Sequence, residues 1–283
     1  MFSMQFIREV GWWPFLWRLA WRQFNKRVLA RGVMVRLPTG LSMEAPPWSH
    51  SASEVVYTAA NMDWGSERLL IENLDHEETF LDIGAHVGYY ALYAAPKVAK
   101  VYAFEPDDQS FAALVKNSKS CGYVEPVHKA VYSSSGRMQL FKRRDMVGFA
   151  YLDITTNPTM ENAGVIEAVT VDDWMRDRPD ERVTGIKIDI DGLDLEVVKG
   201  AASTITRDQP LVLMEFMRTE TNNANDLYRF AQSSGYDIFA FHTRGNGIFT
   251  FGRIGPDIFE DVNVKMIFLT PPRLVERFLR RCD

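Results

Sequence analysis

Cysteine is nearly missing from this chain. Its 283 residues hold two, Cys121 and Cys282, far apart and at no metal-ligand spacing. Free thiols in a reducing compartment are the expectation. Histidine is scarce as well: His50, His76, His86 and His128 form no ligand spacing, and no metal is assigned. No apolar run is long enough to span a bilayer. Tryptophan and arginine interrupt the N-terminal segment and remove the pattern of a signal peptide, so a cytoplasmic location is expected. The net charge of −5 leaves no overall basic footprint for nucleic acid. Internal repeats, low-complexity runs, a Walker loop and a G-x-S-x-G elbow are all lacking.

What is present reads as globular: 46% apolar and 24% charged residues, enough for one large domain or one domain with an appendage. The expected division is an N-terminal helix and hairpin appendage over 1–53 and a main domain over 54–283. Residues 6–31 hold four tryptophans and six basic residues against one acid. Pro14 suits a first helical turn. Trp13, Trp17 and Trp21 recur at i+4, as do Arg18, Arg22 and Lys26, which puts an aromatic stripe beside a basic one. Residues 1–31 could therefore make a peripheral contact with an anionic membrane. A helix docked on the domain, or a homodimer contact, would account for the same pattern. Residues 33–45 alternate and turn at Pro38-Thr39-Gly40, as a hairpin does. Short helices are expected over 54–60 and 67–74.

The chain is organised around Thr79 to Gly88, TFLDIGAHVG. Phe80-Leu81-Asp82-Ile83 reads as a buried strand, Gly84 and Gly88 bracket a turn, and Tyr89 to Ala95 reads as helix. Such a turn lets backbone approach a bulky ligand at a helix N-terminus. A dinucleotide fingerprint needs a glycine where His86 stands. Lys100 to Phe104 reads as the next strand and ends in Glu105-Pro106, where an acid can accept hydrogen bonds from ribose hydroxyls. An ordinary turn with an acid at a helix start is the bland alternative; Asp82, both glycines and Glu105 in order favour a nucleoside site.

Asp108 to Ser120 reads as helix and Pro126 to Val131 as the third strand. The alternating runs over 131–170 suggest an antiparallel insertion before the fourth strand, beside the site and able to choose a substrate. The fourth strand, GIKIDIDG, places Ile186, Ile188 and Ile190 on one face and Lys187, Asp189 and Asp191 on the other. Charges on a central strand must be paired or line a ligand. A structural role is favoured for Lys187, and a site role for Asp189 and Asp191, with a helix cap as the alternative. Gln209 to Phe216 is the fifth strand, with Glu215 at its carboxyl end. Residues 236–241 and 264–269 are strands that would close the sheet as a hairpin. His242 opens a loop and is the best-placed histidine for proton transfer, though a solvated loop histidine fits as well. Trp64 and Glu67 could line the site, packing and capping being the favoured roles.

The ordered blocks FLDIGAHVGYY, VYAFEP, VTVDDW, GIKIDIDGLDLEVVKGA and LVLMEF resemble the FkbM-type methyltransferases over roughly residues 54–216. The resemblance implies a Rossmann-like class I methyltransferase fold, α/β with a mostly parallel sheet, and S-adenosylmethionine as cofactor. It carries Asp82, Gly84, Ala85, His86 and Gly88 to the loop around the methionine portion. Glu105 and Pro106 go to the ribose, and Asn117, Lys129 and Ala130 to the adenine edge. Asp172 and Asp173 match an LDD-like element, and Lys187, Asp189, Asp191 and Gly192 match a K-I-D-V-E-G block. His86 stands for the usual asparagine; Asp191 and Asp194 stand for glutamates, with shorter reach.

The expected reaction is O-methylation, with Asp189 or Asp191 as general base and His242 as the other candidate. Trp64, Lys187 and Glu215 are the candidates for binding the acceptor. The resemblance implies a sugar hydroxyl, in a surface polysaccharide, a lipid-linked saccharide or a glycosylated natural product. A nicotinamide-dependent oxidoreductase and a non-catalytic membrane-associated scaffold are the rival readings.

Overall fold

The computed structural model describes residues 10–143, 150–152, 160–190, 192–216, 221–243, 249–255 and 263–282. Helix α1 (Trp12–Arg27) leads into a hairpin, β1 (Val33–Arg36) and β2 (Ser42–Ala45), paired antiparallel. Two short helices, α2 (Ser51–Thr58) and α3 (Ser66–Ile71), precede β3 (Thr79–Ile83). Then come α4 (Tyr89–Ala94), β4 (Lys100–Phe104), α5 (Asp108–Ser118) and β5 (Val124–Val127). Strands β6 (Ala130–Val131), β7 (Gly136–Arg143), β8 (Ala150–Leu152) and β9 (Met160–Val169) follow, then α6 (Val171–Arg176) and β10 (Val183–Ile188). The chain continues through α7 (Asp194–Lys199), α8 (Ala202–Asp208), β11 (Leu211–Glu215), α9 (Thr221–Ser233), β12 (Asp237–Thr243), β13 (Phe249–Arg253), β14 (Asn263–Thr270) and α10 (Pro272–Leu279).

Among the described residues eight strands form the main sheet, in the order β13-β12-β14-β11-β10-β3-β4-β5. Strands β5, β4, β3, β10 and β11 are parallel, and β14 runs antiparallel to both β11 and β12. The order reverses at β3, where β4 and β10 flank it and both crossovers leave. That is the switch point at which an open α/β sheet leaves a crevice for a ligand.

Side chains alternate across the sheet with the period of two. Phe80, Val101, Leu211, Leu213 and Phe268 pack in one apolar cluster. Leu81, Tyr102, Ile186, Val212 and Ile267 pack in another. The N-terminal segment is built onto the first cluster, which takes in Phe15, Val33, Leu37, Met43 and Ala45. The caps are local: Asp107 accepts from Ser110 N at 2.8 Å to start α5, and Thr170 accepts from Asp173 N at 2.9 Å to start α6.

The expected insertion between the third and fourth parallel strands is a separate four-stranded sheet, ordered β6-β9-β7-β8. Strand β7 pairs antiparallel with β8 and β9, while β6 pairs parallel with β9. The expected third strand, 126–131, is divided. Lys129 N donates to Val127 O at 3.0 Å and turns the chain, so Ala130-Val131 leave the main sheet for the second one. Pro126 is tolerated because β5 is an edge strand. The expected closing pair, β12 with β14, is present, and β13 adds an unexpected edge strand beside β12.

Candidate active site

The Gly84–Gly88 loop turns on three left-handed residues: Gly84 at φ 73°, His86 at 51° and Gly88 at 92°. Gly84 cannot be larger, because a Cβ there would lie 2.1 Å from the Asp189 carbonyl oxygen. Histidine, like asparagine, is enriched among non-glycine residues in this region, so His86 can replace the usual asparagine without changing the backbone. Gly84 N and Ala85 N both donate to Phe104 O, at 3.1 and 2.9 Å, tying the loop to the end of β4.

Glu105 closes the same junction. Its Oε2 accepts from His86 N at 2.7 Å and its Oε1 from Asp107 N at 2.9 Å. Burial pushes this carboxyl up to about 7 despite those donors. A carboxylate has about four lone-pair sites, so two stay available for hydroxyl donors. Pro106, next in the loop, offers its carbonyl oxygen to His128 Nε2 at 3.2 Å. Burial, then the Lys187 charge, lowers His86 to about 4, which makes it a neutral imidazole edge-on to Trp48.

Strand register brings the charged residues together. Lys187 on β10 is the direct partner of Asp82 on β3. Lys187 Nζ donates to Gly84 O at 2.9 Å and lies 3.6 Å from Asp82 Oδ1 and 3.4 Å from Asp189 Oδ2. Neither Asp82 oxygen accepts a hydrogen bond of ordinary geometry, and burial raises its pKa. The Asp189 side chain is 38% exposed. Desolvation would raise it, but the Lys187 ammonium, assisted by Lys265 and a Glu215 hydrogen bond, holds it below the usual carboxylate range. Glu215, at the end of β11, therefore belongs to this cluster, as does Lys187, whose two carboxylate neighbours keep it cationic.

A cavity of about 60 Å³ opens here, walled by Ser51, Ala52, Val55, Met62, residues 84–87, Tyr89, Tyr90, Lys187 and Asp189. Behind it lies a buried acidic pair, Asp63 and Glu67, of which the sequence singles out Glu67 alone. Glu67 Oε1 accepts from Asp63 N at 2.8 Å and Tyr89 Oη at 3.0 Å, and Tyr90 Oη donates to Asp63 Oδ2 at 2.6 Å. Lys265 sits 2.7 Å from Asp63. Burial and then Asp63 push Glu67 up to about 7. The tyrosine pair directly after Gly88 was the available signal for this wall.

Several expected site residues are placed elsewhere. Asn117, expected at an adenine edge, is engaged by backbone: its Nδ2 donates to Val87 O and Glu44 O, and its Oδ1 accepts from Glu44 N. Lys129 pairs with Glu167 at 2.6 Å, and Ala130 packs with Leu140 and Ala168 inside the insertion. Lys129 instead lines a separate cavity of about 590 Å³ between the insertion and α6. His242 is not in a loop. It is buried on β12, with Nε2 3.0 Å from Thr250 Oγ1 and Nδ1 3.3 Å from Ala240 O. Strand β12 stands three places from β10, about 14 Å at ordinary strand spacing, so His242 is remote from Asp189 as a base. Trp64 occupies a left-handed turn, and Met62 rather than Trp64 walls the cavity. Asp191 lies outside the described residues. Asp194 takes up the neighbouring loop, accepting from Ile190 N and Gly192 N, and burial pushes it up to about 7.

Comparison with known proteins gives this geometry a context. The family described as Methyltransferase FkbM domain matches residues 82–238. The chain is 28% identical over 139 residues to the hexuronic acid methyltransferase AglP of Haloferax volcanii, covering 49% of this chain and 56% of that protein. A methyltransferase FkbM structure from Methylobacillus flagellatus aligns at TM-score 0.45 and 14% identity, over 90% of this chain and 59% of that one. A candidate methyltransferase from Streptococcus mutans in complex with S-adenosylhomocysteine aligns at TM-score 0.41 and 9% identity, over 72% and 94%. The chain thus spans just over half the length of the first two. The family match covers more than half of this sequence, from the first acid of the glycine loop to the start of β12: the chain belongs to the FkbM methyltransferase family.

Proposed function

We propose that this chain is an O-methyltransferase acting on a saccharide hydroxyl. Its cofactor, S-adenosylmethionine, supplies an electrophilic methyl group when bound. The residues fit such a group. Gly84 and Gly88 leave the backbone bare where a Cβ would collide with Asp189 or Leu114, Glu105 keeps two lone-pair sites for ribose hydroxyls, and Asp82 keeps both carboxylate oxygens without a hydrogen bond. Gly84, Ala85, His86 and Gly88 would hold the methionine end, and Glu105 with Pro106 the ribose.

One observation carries the reaction type. Asp189 is ionised, partly open, and set on the wall of the cavity beside the glycine loop. Its carboxylate can accept the hydroxyl proton of an acceptor as the new O–C bond forms. Lys187 orients that carboxylate and fixes the loop through Gly84 O. Tyr89, Tyr90 and Met62 limit water at the reacting end. The hexuronic acid named for the archaeal relative supports a sugar acceptor, free or lipid-linked. Membership of a methyltransferase family does not favour the nicotinamide-dependent oxidoreductase or the non-catalytic scaffold. The proposed place of work is the cytoplasm.

The test is methyl transfer to a panel of hexuronic and neutral sugar acceptors. Asp189→Asn should lower kcat by about 10²–10⁴ while S-adenosylhomocysteine still binds. Turnover unchanged in that variant would remove Asp189 from the role.

A further inference from the structure

Helix α1 carries large apolar side chains on its outer face as well as on its inner one. Its inward face carries Phe15 together with Arg22 and Asn25, all buried. Arg22 is wholly buried and donates to Ser53 Oγ at 3.1 Å, Ala45 O at 2.8 Å, Pro46 O at 2.5 Å and Ser49 O at 3.4 Å. Part of the expected basic stripe is thus an internal anchor. At 100° per residue the opposite face gathers Trp13, Leu16, Trp17, Trp21, Phe24 and Val28. All six are exposed, Trp13 by 83% and Trp17 by 70%. A soluble surface helix shows its polar face to water; among the described residues nothing covers this apolar one.

The chemistry of the patch selects its occupant. Residues 10–43 contain no acid and, besides the internal Arg22, five basic residues, in a chain of net charge −5. A two-fold dimer through this face would set that acid-free segment against its own copy, like charge against like. An anionic leaflet attracts the same charge, and tryptophan is the side chain best suited to the boundary between headgroups and acyl chains. No helix among the described residues is long and apolar enough to cross a membrane, so the contact is interfacial. We propose that the outer face of α1 docks this protein on an anionic lipid surface, with Trp13, Trp17 and Phe24 inserted and Arg27 at the headgroups.

Docking also orients the enzyme. Arg22 clamps α1 to α2, and α2 supplies Ser51, Ala52 and Val55 to the cavity wall. Docking through α1 would therefore fix how the cavity is turned relative to the bilayer. A saccharide carried on a lipid would be presented there. That consequence rests on the sugar-methylation reading; the docking does not, and vesicle binding and methyl transfer can fail separately.

The experiment is flotation of the full chain with vesicles of phosphatidylcholine alone or with about one third phosphatidylglycerol. The expected result is flotation with the anionic vesicles, weakened by salt, and reduced about tenfold or more in Trp13→Ser/Trp17→Ser, which keeps the parent's melting temperature because both side chains are exposed. Absence of flotation would overturn the proposal, and so would equal flotation of the double variant. A solution dimer that the double variant converts to monomer, without vesicle binding, would assign the face to a second copy instead.

Discussion

Glu105 joins two tasks in one carboxyl. It fixes the loop by accepting from His86 N and Asp107 N, and it is the candidate acceptor for ribose hydroxyls. Its pKa of about 7 is above the ordinary 4.5, so between those pH values the folded chain holds a proton that the unfolded chain has released. Stability therefore falls as pH rises through that window, by on the order of 3 kcal/mol for this group, and Glu67 and Asp194 act in the same direction. Thermal unfolding between pH 5 and 8 should show that decline, flatter in Glu105→Gln. Cofactor affinity has the opposite sign, since the ionised carboxylate is the better acceptor: binding of S-adenosylhomocysteine should strengthen as pH rises through 7. At the same scale, Asn117→Ala removes three hydrogen bonds to backbone and should cost about 1–3 kcal/mol in urea unfolding, with cofactor affinity changed less than about threefold. A large loss of affinity with unchanged stability would return Asn117 to the adenine edge.

Elements explain which sequence signals were legible. The order Asp82, Gly84, Gly88, Glu105 was readable because each residue ends a strand or bends a turn within its own local stretch. The Lys187–Asp82 pairing was half readable: alternation gave the face of Lys187, while the register that sets it beside Asp82 is a property of two strands about a hundred residues apart. Asn117 could not be placed, because its partners on Glu44 lie 73 residues away and across another element. His242 was misplaced because the Thr243-Arg244-Gly245 sequence resembles a turn, whereas the alternation of Ile238, Ala240 and His242 continues the strand. In α1 the i+4 periodicity showed both stripes and could not say which faced inward. The structure makes the two faces energetically different. Arg22→Ala would remove the guanidinium that donates to four acceptors and should cost about 2–4 kcal/mol in urea unfolding. Trp17→Ser on the outer face should stay within about 0.5 kcal/mol of the parent.

At the scale of the whole molecule, the main sheet provides a switch point at β3, the glycine loop fills it, and β10 and β11 bring Lys187, Asp189 and Glu215 to the same end. The N-terminal helix and hairpin close that end from one side through α2, and the insertion builds a second cavity beside α6. In the proposed mechanism this end of the sheet holds S-adenosylmethionine with Glu105 on its ribose. Calorimetric titration with S-adenosylmethionine and S-adenosylhomocysteine, for the parent and Glu105→Ala, tests it most directly. The parent should bind both, and the variant should lose about 1–3 kcal/mol, the size of a charge-assisted hydrogen bond. Binding that is absent in the parent, or unaffected by Glu105→Ala, would contradict it.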